Sequence, residues 1–360
     1  MALRIAQDMG MHSESELAKW AHAEAELRRR LWWALIMFDN RMCELAGSRV
    51  RTLDPVWTCH IPSNINDYDL DHSRGLPIEH TQCSEAIFPV LRCKVRDFVR
   101  RAAFHIEYAN PTLAPLISRD QRYLGEDAAG LEQLEQSIED AYLRHCDMRK
   151  PIHLMARWTT KGYLSKIRLL ELESRQRGTR QTDVQYELAL AYALRVLHSD
   201  TAIMSSPLIK GFLWLHYQYF PFQAYLVICR IIQTLPHGDL GIRAWQSMSE
   251  NYLWWSPMLS NNITFLRALG KIVLQAWHVY EANLRSTGTG FDPPEVITSL
   301  NQMMEPLNSR PELREQEQPN RGPEMAWNDG STAFALGAFD IQNLFDSTGL
   351  LSDESATYME

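Results

Sequence analysis

Residues 26–47 read ELRRRLWWALIMFDNRMCELAG, and their apolar side chains recur at steps of three and four. The apolar positions are Leu27, Leu31, Leu35, Phe38, Met42 and Leu45. This spacing predicts an amphipathic α-helix, because about 3.6 residues make one helical turn. Gly47 follows as a residue type that commonly ends helices.

The same helical period continues along most of the chain. It predicts further helices at about 81–107, 130–148, 152–176, 182–204, 207–234, 240–255 and 258–285. Four prolines (Pro151, Pro207, Pro236 and Pro257) fall at the joins, whereas Pro221 lies inside a helical pattern and should kink or split that helix. No window alternates as a strand does, so we expect an all-α fold.

Two regions interrupt the period. Residues 48–80 are rich in Pro, Asp and Asn and are too long for a simple connection, so we expect a long ordered loop that packs on the helices. After the helical domain (residues 1–300), residues 301–330 form a polar, proline-rich linker. Residues 331–360 combine acids with apolar side chains, which predicts a tail that stays flexible until it docks; a terminal helix packed on the body is the alternative.

Composition excludes several classes of protein. The 360 residues are 45% hydrophobic, which is enough for a core and rules out wholesale disorder. The net charge is -8, and residues 331–360 contribute five acids and no Lys or Arg, so a chain-wide nucleic-acid surface is not expected. Without a signal-peptide pattern, a C-x-x-C pair or a membrane-length apolar run, we expect a soluble, intracellular, thiol-reduced chain without a membrane partner.

Signatures of catalysis and cofactor binding are lacking. The sequence contains no phosphate-binding loop, zinc-protease motif or nucleophile elbow, so we expect neither an enzyme nor a cofactor. Cys93 and Cys229 lie on apolar helical faces and should be buried structural thiols. One group of metal-capable residues lacks the second close pair of a zinc site, so we interpret its members as loop residues. The group is Cys59, His60, His72, His80 and Cys83.

The basic run next to two tryptophans resembles a nucleic-acid surface in composition. Arg28, Arg29, Arg30, Trp32 and Trp33 span roughly 400° around a helix, so they do not share a face. We expect solvated arginines, with the arginine four positions before Trp32 stacking on that ring.

The chain resembles the regulatory region, often called the middle homology region, of fungal zinc binuclear cluster transcription factors. Residues 2–12 look like the family's helix end, 26–33 like its most recognisable stretch, and 62–67 (PSNIND) like its loop. A second match, residues 219–225 followed by 243–245, is similar to family members found beside secondary-metabolism genes. In order, these matches cover roughly residues 1–285. The resemblance implies that the matched residues are chiefly structural: Arg28, Arg29, Arg30, Trp32, Trp33, Asp39, Arg41, Asn64, Asn66 and Asp67.

The chain also departs from the family pattern. The six-cysteine zinc cluster that reads DNA is missing, as are the coiled coil and the first regulatory helices, so zinc and direct specific DNA binding are not expected here. Apolar surface along residues 27–45 should then be partly uncovered, which favours self-association. The resemblance implies a nuclear protein, or a cytoplasmic one if the import signal belongs to the missing part.

We therefore expect a regulator of RNA polymerase II transcription, acting on a secondary-metabolite gene cluster. Its partners are expected to be transcriptional co-regulators or a full-length related factor. The tail residues Phe339, Leu344 and Phe345 should form one helical stripe when they dock on a coactivator. The alternative is a helical module that binds an effector or a protein and has no transcriptional output. Its pocket would be lined by Trp254, Trp255, Phe265 and Trp277.

Overall fold

The computed structural model describes residues 1–45, 57–70, 79–101, 121–176, 182–234, 239–260, 262–286 and 292–308. Helices and connecting segments account for all of these residues and no strand occurs among them, which confirms the all-α prediction. No helix in these ranges is both long and apolar enough to cross a bilayer.

Two compact units divide the chain, Met1–Leu213 and Trp214–Glu360. The first contains α1 (Ala2–Asp8), α2 (Glu14–Leu17), α3 (His22–Leu45), α4 (Ile87–Arg101), α5 (Gln121–Ala141), α6 (Pro151–Gln176) and α7 (Asp183–Met204), with short 3-10 helices at Asp67–Leu70 and Leu143–His145. Helices α6 and α7 pack along each other, α4 and α5 pack on α6, and α1, α2 and α4 contact α3.

The second unit contains α8 (Phe222–Thr234), α9 (Asp239–Leu259), α10 (Ile263–Ser286) and α11 (Glu295–Asn308). Helix α8 is almost wholly buried and packs on α10, while α11 packs on α9 and α10. The Tyr225 hydroxyl donates to the Met248 carbonyl at 3.1 Å, which satisfies the buried polar group between α8 and α9. A 3-10 helix, Pro207–Leu215, spans the boundary between the units.

Local sequence signals explain several helix boundaries. Pro151 is the first residue of α6. A backbone N–H at that position has no acceptor within the helix, so a proline there costs no helical hydrogen bond. The Asn262 side chain accepts the Phe265 amide at 3.0 Å and so caps α10. As predicted, Pro221 separates the preceding segment from α8, which begins at Phe222. The placement of Pro257 at a join was wrong, because it lies inside α9, two residues before that helix ends.

Helix α3 carries two stripes with the same period on opposite faces. Leu27, Leu31 and Phe38 are 53%, 47% and 57% exposed, so the predicted uncovered apolar surface is present at these three positions, whereas the side chains of residues 43–45 lie outside the described ones. The buried face consists instead of Ala25, Glu26, Trp32, Trp33, Ile36, Asn40 and Arg41. The predicted self-association through the exposed stripe stays a prediction.

The predicted loop and domain boundaries lie partly within the described ranges. Residues 57–70 of the predicted long loop are ordered against α3, with Trp57, Cys59 and Ile65 buried. Helix α11 (Glu295–Asn308) passes the predicted end of the helical domain at residue 300. Residues 309–360, which include most of the predicted linker and the whole tail, lie outside the described residues, so that division stays a prediction.

Gly10 makes the turn between α1 and α2. Its φ is +71°, a conformation that only glycine adopts without strain. The Gly10 amide donates to the Gln7 carbonyl and the Met11 amide to the Ala6 carbonyl, which closes the end of α1. A Cβ added at Gly10 would lie 2.9 Å from the Cβ of Glu16.

Gly10→Ala should therefore destabilise the protein by about 1–2 kcal/mol, because it adds both φ strain and a steric clash. Gly211→Ala is the matched control, since an added Cβ there meets nothing within 4 Å. Thermal unfolding of both variants beside the wild type measures the difference. Equal melting temperatures for the two variants would contradict this account of the turn.

Candidate functional site

The two tryptophans of the matched stretch are core residues. Trp32 and Trp33 are 0% and 1% exposed, and the ring of Trp57 packs edge-on against both, at centroid distances of 5.7 and 5.0 Å. The Trp33 indole Nε1 donates to the His60 carbonyl at 2.8 Å. Both rings thus hold residues 57–60 against α3 and are not available to stack on a nucleic-acid base.

Glu26 is a charged residue buried in the same face of α3, with 0% exposure. Its Oε1 accepts hydrogen bonds from Arg30 Nε and from the Ser63 amide, both at 3.1 Å. Arg29 Nη1 lies 3.5 Å from Oε2. Burial raises the pKa of Glu26, although both guanidinium groups oppose that shift. This carboxylate joins α3 to the loop.

Arg29 extends the network to α2. Its Nε donates to both carboxylate oxygens of Glu14 at 3.1 Å, and Nη2 also donates to Oε1. The same carboxylate accepts the His60 amide at 3.1 Å. Burial alone would raise the pKa of Glu14, but the hydrogen bonds from Arg29 and His60 hold it below its ordinary value. The pair ties α2, α3 and the loop together.

The other two arginines also have partners. Arg28 donates to Glu24 at 2.7 Å, and Arg30 Nη1 donates to Asp67 at 2.7 Å. The prediction that Arg28 stacks on Trp32 was wrong, because Trp32 points into the core. The Arg28 guanidinium lies instead 3.9 Å from the ring centroid of Trp20. All three arginines are partly buried and paired with carboxylates, so the expectation of solvated arginines was wrong as well.

The Asn64 side chain forms hydrogen bonds with the segment that precedes α4. Its side-chain Nδ2 donates to the carbonyls of His80 and Gln82 at 2.8 and 2.7 Å, and its Oδ1 accepts the Ser84 hydroxyl at 2.6 Å. The side chain is buried, so it satisfies its partners in place of water. Asn64 thereby joins the loop to the segment that leads into α4.

Asn66 and Asp67 complete the connection. The Asn66 side chain accepts the Glu85 amide at 2.9 Å, and Asp69 accepts the Asn66 amide at 2.9 Å. Asp69 also lies 2.7 Å from the Nε2 of His80. The hydrogen bond from His80 lowers the pKa of Asp69. These contacts fix residues 64–70 to the start of α4.

The remaining predicted residues lie elsewhere. Arg41 is buried and Asp39 is half-buried farther along α3, and both have interaction partners. Phe339, Leu344 and Phe345 lie outside the described residues. Sequence reasoning did not select Glu14 and Glu26 as site residues. The sequence signal that could have identified Glu26 is its position on the same helical face as the tryptophans, three residues before Arg29 and four before Arg30.

The cysteines behave largely as predicted. Cys93 and Cys229 are fully buried, and burial raises the pKa of the Cys229 thiol to about 12. The described members of the Cys59–Cys83 group do not gather at one point. Cys59 Sγ donates to the His60 carbonyl at 3.6 Å, whereas Cys83 Sγ lies 3.6 Å from Cys146 Sγ.

The aromatic residues predicted to line an effector pocket are divided between the core and the surface of the second unit. Trp255, Phe265 and Trp277 are buried core residues, whereas Trp254 is 42% exposed. Phe220 packs edge-on against Trp255 and Phe265, at 5.3 and 5.2 Å. Trp277 belongs to a separate group with Trp245 and Tyr280. The three buried side chains belong to the core of the second unit.

Taken together, the arginines, the buried carboxylates and the Asn64 loop form a structural joint in a helical protein. The arrangement binds four segments of one chain and offers no reacting group.

Comparison with known proteins relates the chain to fungal transcriptional regulators. It is 38% identical over 285 residues to the transcriptional regulator AacuB of Aspergillus aculeatus, a match that covers 78% of this chain and 38% of that protein. It is also 38% identical over 306 residues to the transcriptional regulator nsrM of Aspergillus novofumigatus, covering 83% of this chain and 41% of the relative.

A more distant relative is the aurofusarin cluster transcription factor aurR2 of Gibberella zeae, 28% identical over 294 residues, with 80% of this chain and 43% of that protein covered. The chain thus spans about two fifths of the length of these relatives. No protein-family model and no solved structure matches it.

Asn64→Ala should destabilise the protein by about 2–3 kcal/mol, because it leaves the buried Ser84 hydroxyl and the backbone carbonyls of His80 and Gln82 without their partner. Urea denaturation measures the change. Asn301→Ala, at an exposed position of α11, serves as the control and should change stability by less than about 0.5 kcal/mol. Equal urea midpoints for the wild type and Asn64→Ala would show that contacts other than those of Asn64 hold the loop in place.

Glu14→Gln should lower stability by about 1–2 kcal/mol at neutral pH, because the charge-assisted pair with Arg29 is lost. The folded pKa of Glu14 lies below its ordinary value of 4.5, so the wild-type advantage is complete above that pH and disappears as the pH falls through the folded pKa. Denaturation between pH 7 and pH 3 tests this.

The control for that experiment is Glu16→Gln, since Glu16 pairs with the exposed Lys19 and should contribute less than about 0.5 kcal/mol. A wild-type advantage over Glu14→Gln that stays constant down to pH 3 would contradict the assigned pairing.

Proposed function

We propose that this chain is the helical regulatory region of a fungal transcription regulator and acts in the nucleus on RNA polymerase II transcription. The observation that carries the proposal is the 38% identity, over 285 residues, to a protein named as a transcriptional regulator. The aurofusarin cluster factor among the relatives supports a secondary-metabolite gene cluster as the target. On this proposal the chain is not an enzyme.

We further propose that these 360 residues act through protein partners and do not read DNA sequence themselves. Direct reading needs basic side chains that are free to reach phosphates and base edges. The basic run at residues 28–30 is committed to Glu24, Glu14, Glu26 and Asp67, as described above. The two tryptophans that follow are buried. The printed sequence contains no paired C-x-x-C motif.

The partners proposed are transcriptional co-regulators and a full-length related factor. The recruiting segment is residues 331–360, whose five acids keep it solvated while its apolar side chains remain available to a coactivator groove. Phe339, Leu344 and Phe345 supply the apolar contacts on docking.

A reporter assay with the full chain fused to an unrelated DNA-binding domain tests this proposal. The fusion should raise expression, and replacing Phe339, Leu344 and Phe345 with Ala should remove most of the gain. Asn343→Ala is the control within the same segment and should keep the gain. The unfused chain should leave the reporter unchanged, since it lacks a sequence-reading element.

Two results would contradict the proposal. A silent fusion that is present at normal abundance would refute recruitment by this chain. Activation by the unfused chain, lost when the binding site in the promoter is scrambled, would show direct DNA reading.

A further inference from the structure

Three potential metal ligands from distant parts of the chain meet in the first unit. Cys83 precedes α4, Cys146 follows the 3-10 helix Leu143–His145, and His153 lies in the first turn of α6. One ligand atom from each residue lies within 4.8 Å of the others. The two Sγ atoms are 3.6 Å apart.

We propose that Cys83, Cys146 and His153 bind a zinc ion, with the fourth coordination position open to water. This site is independent of the proposed regulatory function, and it departs from the expectation that the chain uses no cofactor. Thiolate sulfur and imidazole nitrogen are the donors that zinc prefers, and three protein ligands with one open position is an established arrangement for this ion.

The sulfur separation agrees with a shared zinc ligand pair. Zinc–sulfur bonds are about 2.3 Å long, so two thiolates at a tetrahedral angle lie roughly 3.8 Å apart. The observed separation of 3.6 Å is close to this value and far longer than the 2.03–2.05 Å of a disulfide bond. Only small side-chain movements are needed to bring both sulfurs onto one ion.

The thiols are protonated in the absence of a cation. Burial raises the pKa of Cys146 to about 12 and also raises the pKa of Cys83. Cys83 Sγ donates to the Tyr142 carbonyl at 3.4 Å. Zinc binding replaces both thiol protons, so the two thiolates balance the charge of the ion and two protons pass to solvent for each ion bound.

His153 is in the form that zinc binds. Its side chain is buried, and burial lowers its pKa, so the imidazole is neutral at pH 7. Its Nδ1 accepts the Asp147 amide at 3.0 Å. An ion on Nδ1 displaces that amide, and an ion on Nε2 requires Nδ1 to carry the proton. In both cases the Asp147 amide loses its acceptor when zinc binds.

The site would add a covalent-strength link between three segments that are otherwise joined by packing and by hydrogen bonds. The ligands precede α4, follow α5 and begin α6, and they are 63 and 7 residues apart along the chain. No close ligand pair occurs, and so the sequence gives no zinc-binding pattern. Both cysteines are half-buried, so an ion can reach their sulfur atoms from solvent.

Metal titration of the reduced full-length chain, stripped with a chelator, tests the proposal. One equivalent of Co²⁺ should produce thiolate-to-cobalt charge-transfer absorption with release of two protons, and Zn²⁺ should then displace the cobalt without further proton release. Cys83→Ser, Cys146→Ser and His153→Gln should each weaken binding at least tenfold. Cys59→Ser is the matched control and should bind as the wild type does.

Alkylation of the wild type provides a second measurement that does not depend on variants folding. Zinc should protect Cys83 and Cys146 from iodoacetamide while leaving the modification of other cysteines unchanged. The proposal is overturned if the wild type gives no charge-transfer band, if zinc protects neither cysteine, or if binding survives both Cys83→Ser and His153→Gln.

Discussion

A fully buried carboxylate at Glu26 sets the main constraint on the first unit. Removing a carboxylate from water is costly unless cations and hydrogen-bond donors surround it. Arg29, Arg30 and the Ser63 amide fill that role. Breaking such a buried pair by removing one partner typically costs about 3–5 kcal/mol. The helix and the loop are therefore interdependent.

The rest of the joint follows from those two arginines. While they approach Glu26 they also reach outward, Arg29 to Glu14 on α2 and Arg30 to Asp67 on the loop. The carbonyl of His60 then lies where the Trp33 indole donates to it. Asn64 continues the connection to the segment before α4. A basic, aromatic sequence that looks suited to nucleic acid is thus used for internal structure.

Sequence reasoning predicted the fold class and the break at Pro221 because period and proline chemistry are local properties. It did not identify the buried face of α3, since the Leu27 stripe and the Trp32 stripe share one period on opposite sides of the helix. Composition does not determine which of the two stripes is buried. The partners of Glu26 and the ring of Trp57 determine it, because they cover the Trp32 side of the helix. The meeting of Cys83 with Cys146 likewise depends on tertiary packing and leaves no local pattern.

Hydrogen exchange at peptide resolution on Glu26→Gln tests the central claim, which is that this buried carboxylate holds the loop on α3. The account predicts faster exchange in residues 57–70 and in α2, with exchange in the paired helices α6 and α7 unchanged. The reason is that the lost charge weakens the interactions of residue 26 with Arg29, Arg30 and the Ser63 amide together. Wild-type protection throughout residues 57–70 in a folded Glu26→Gln protein would contradict it.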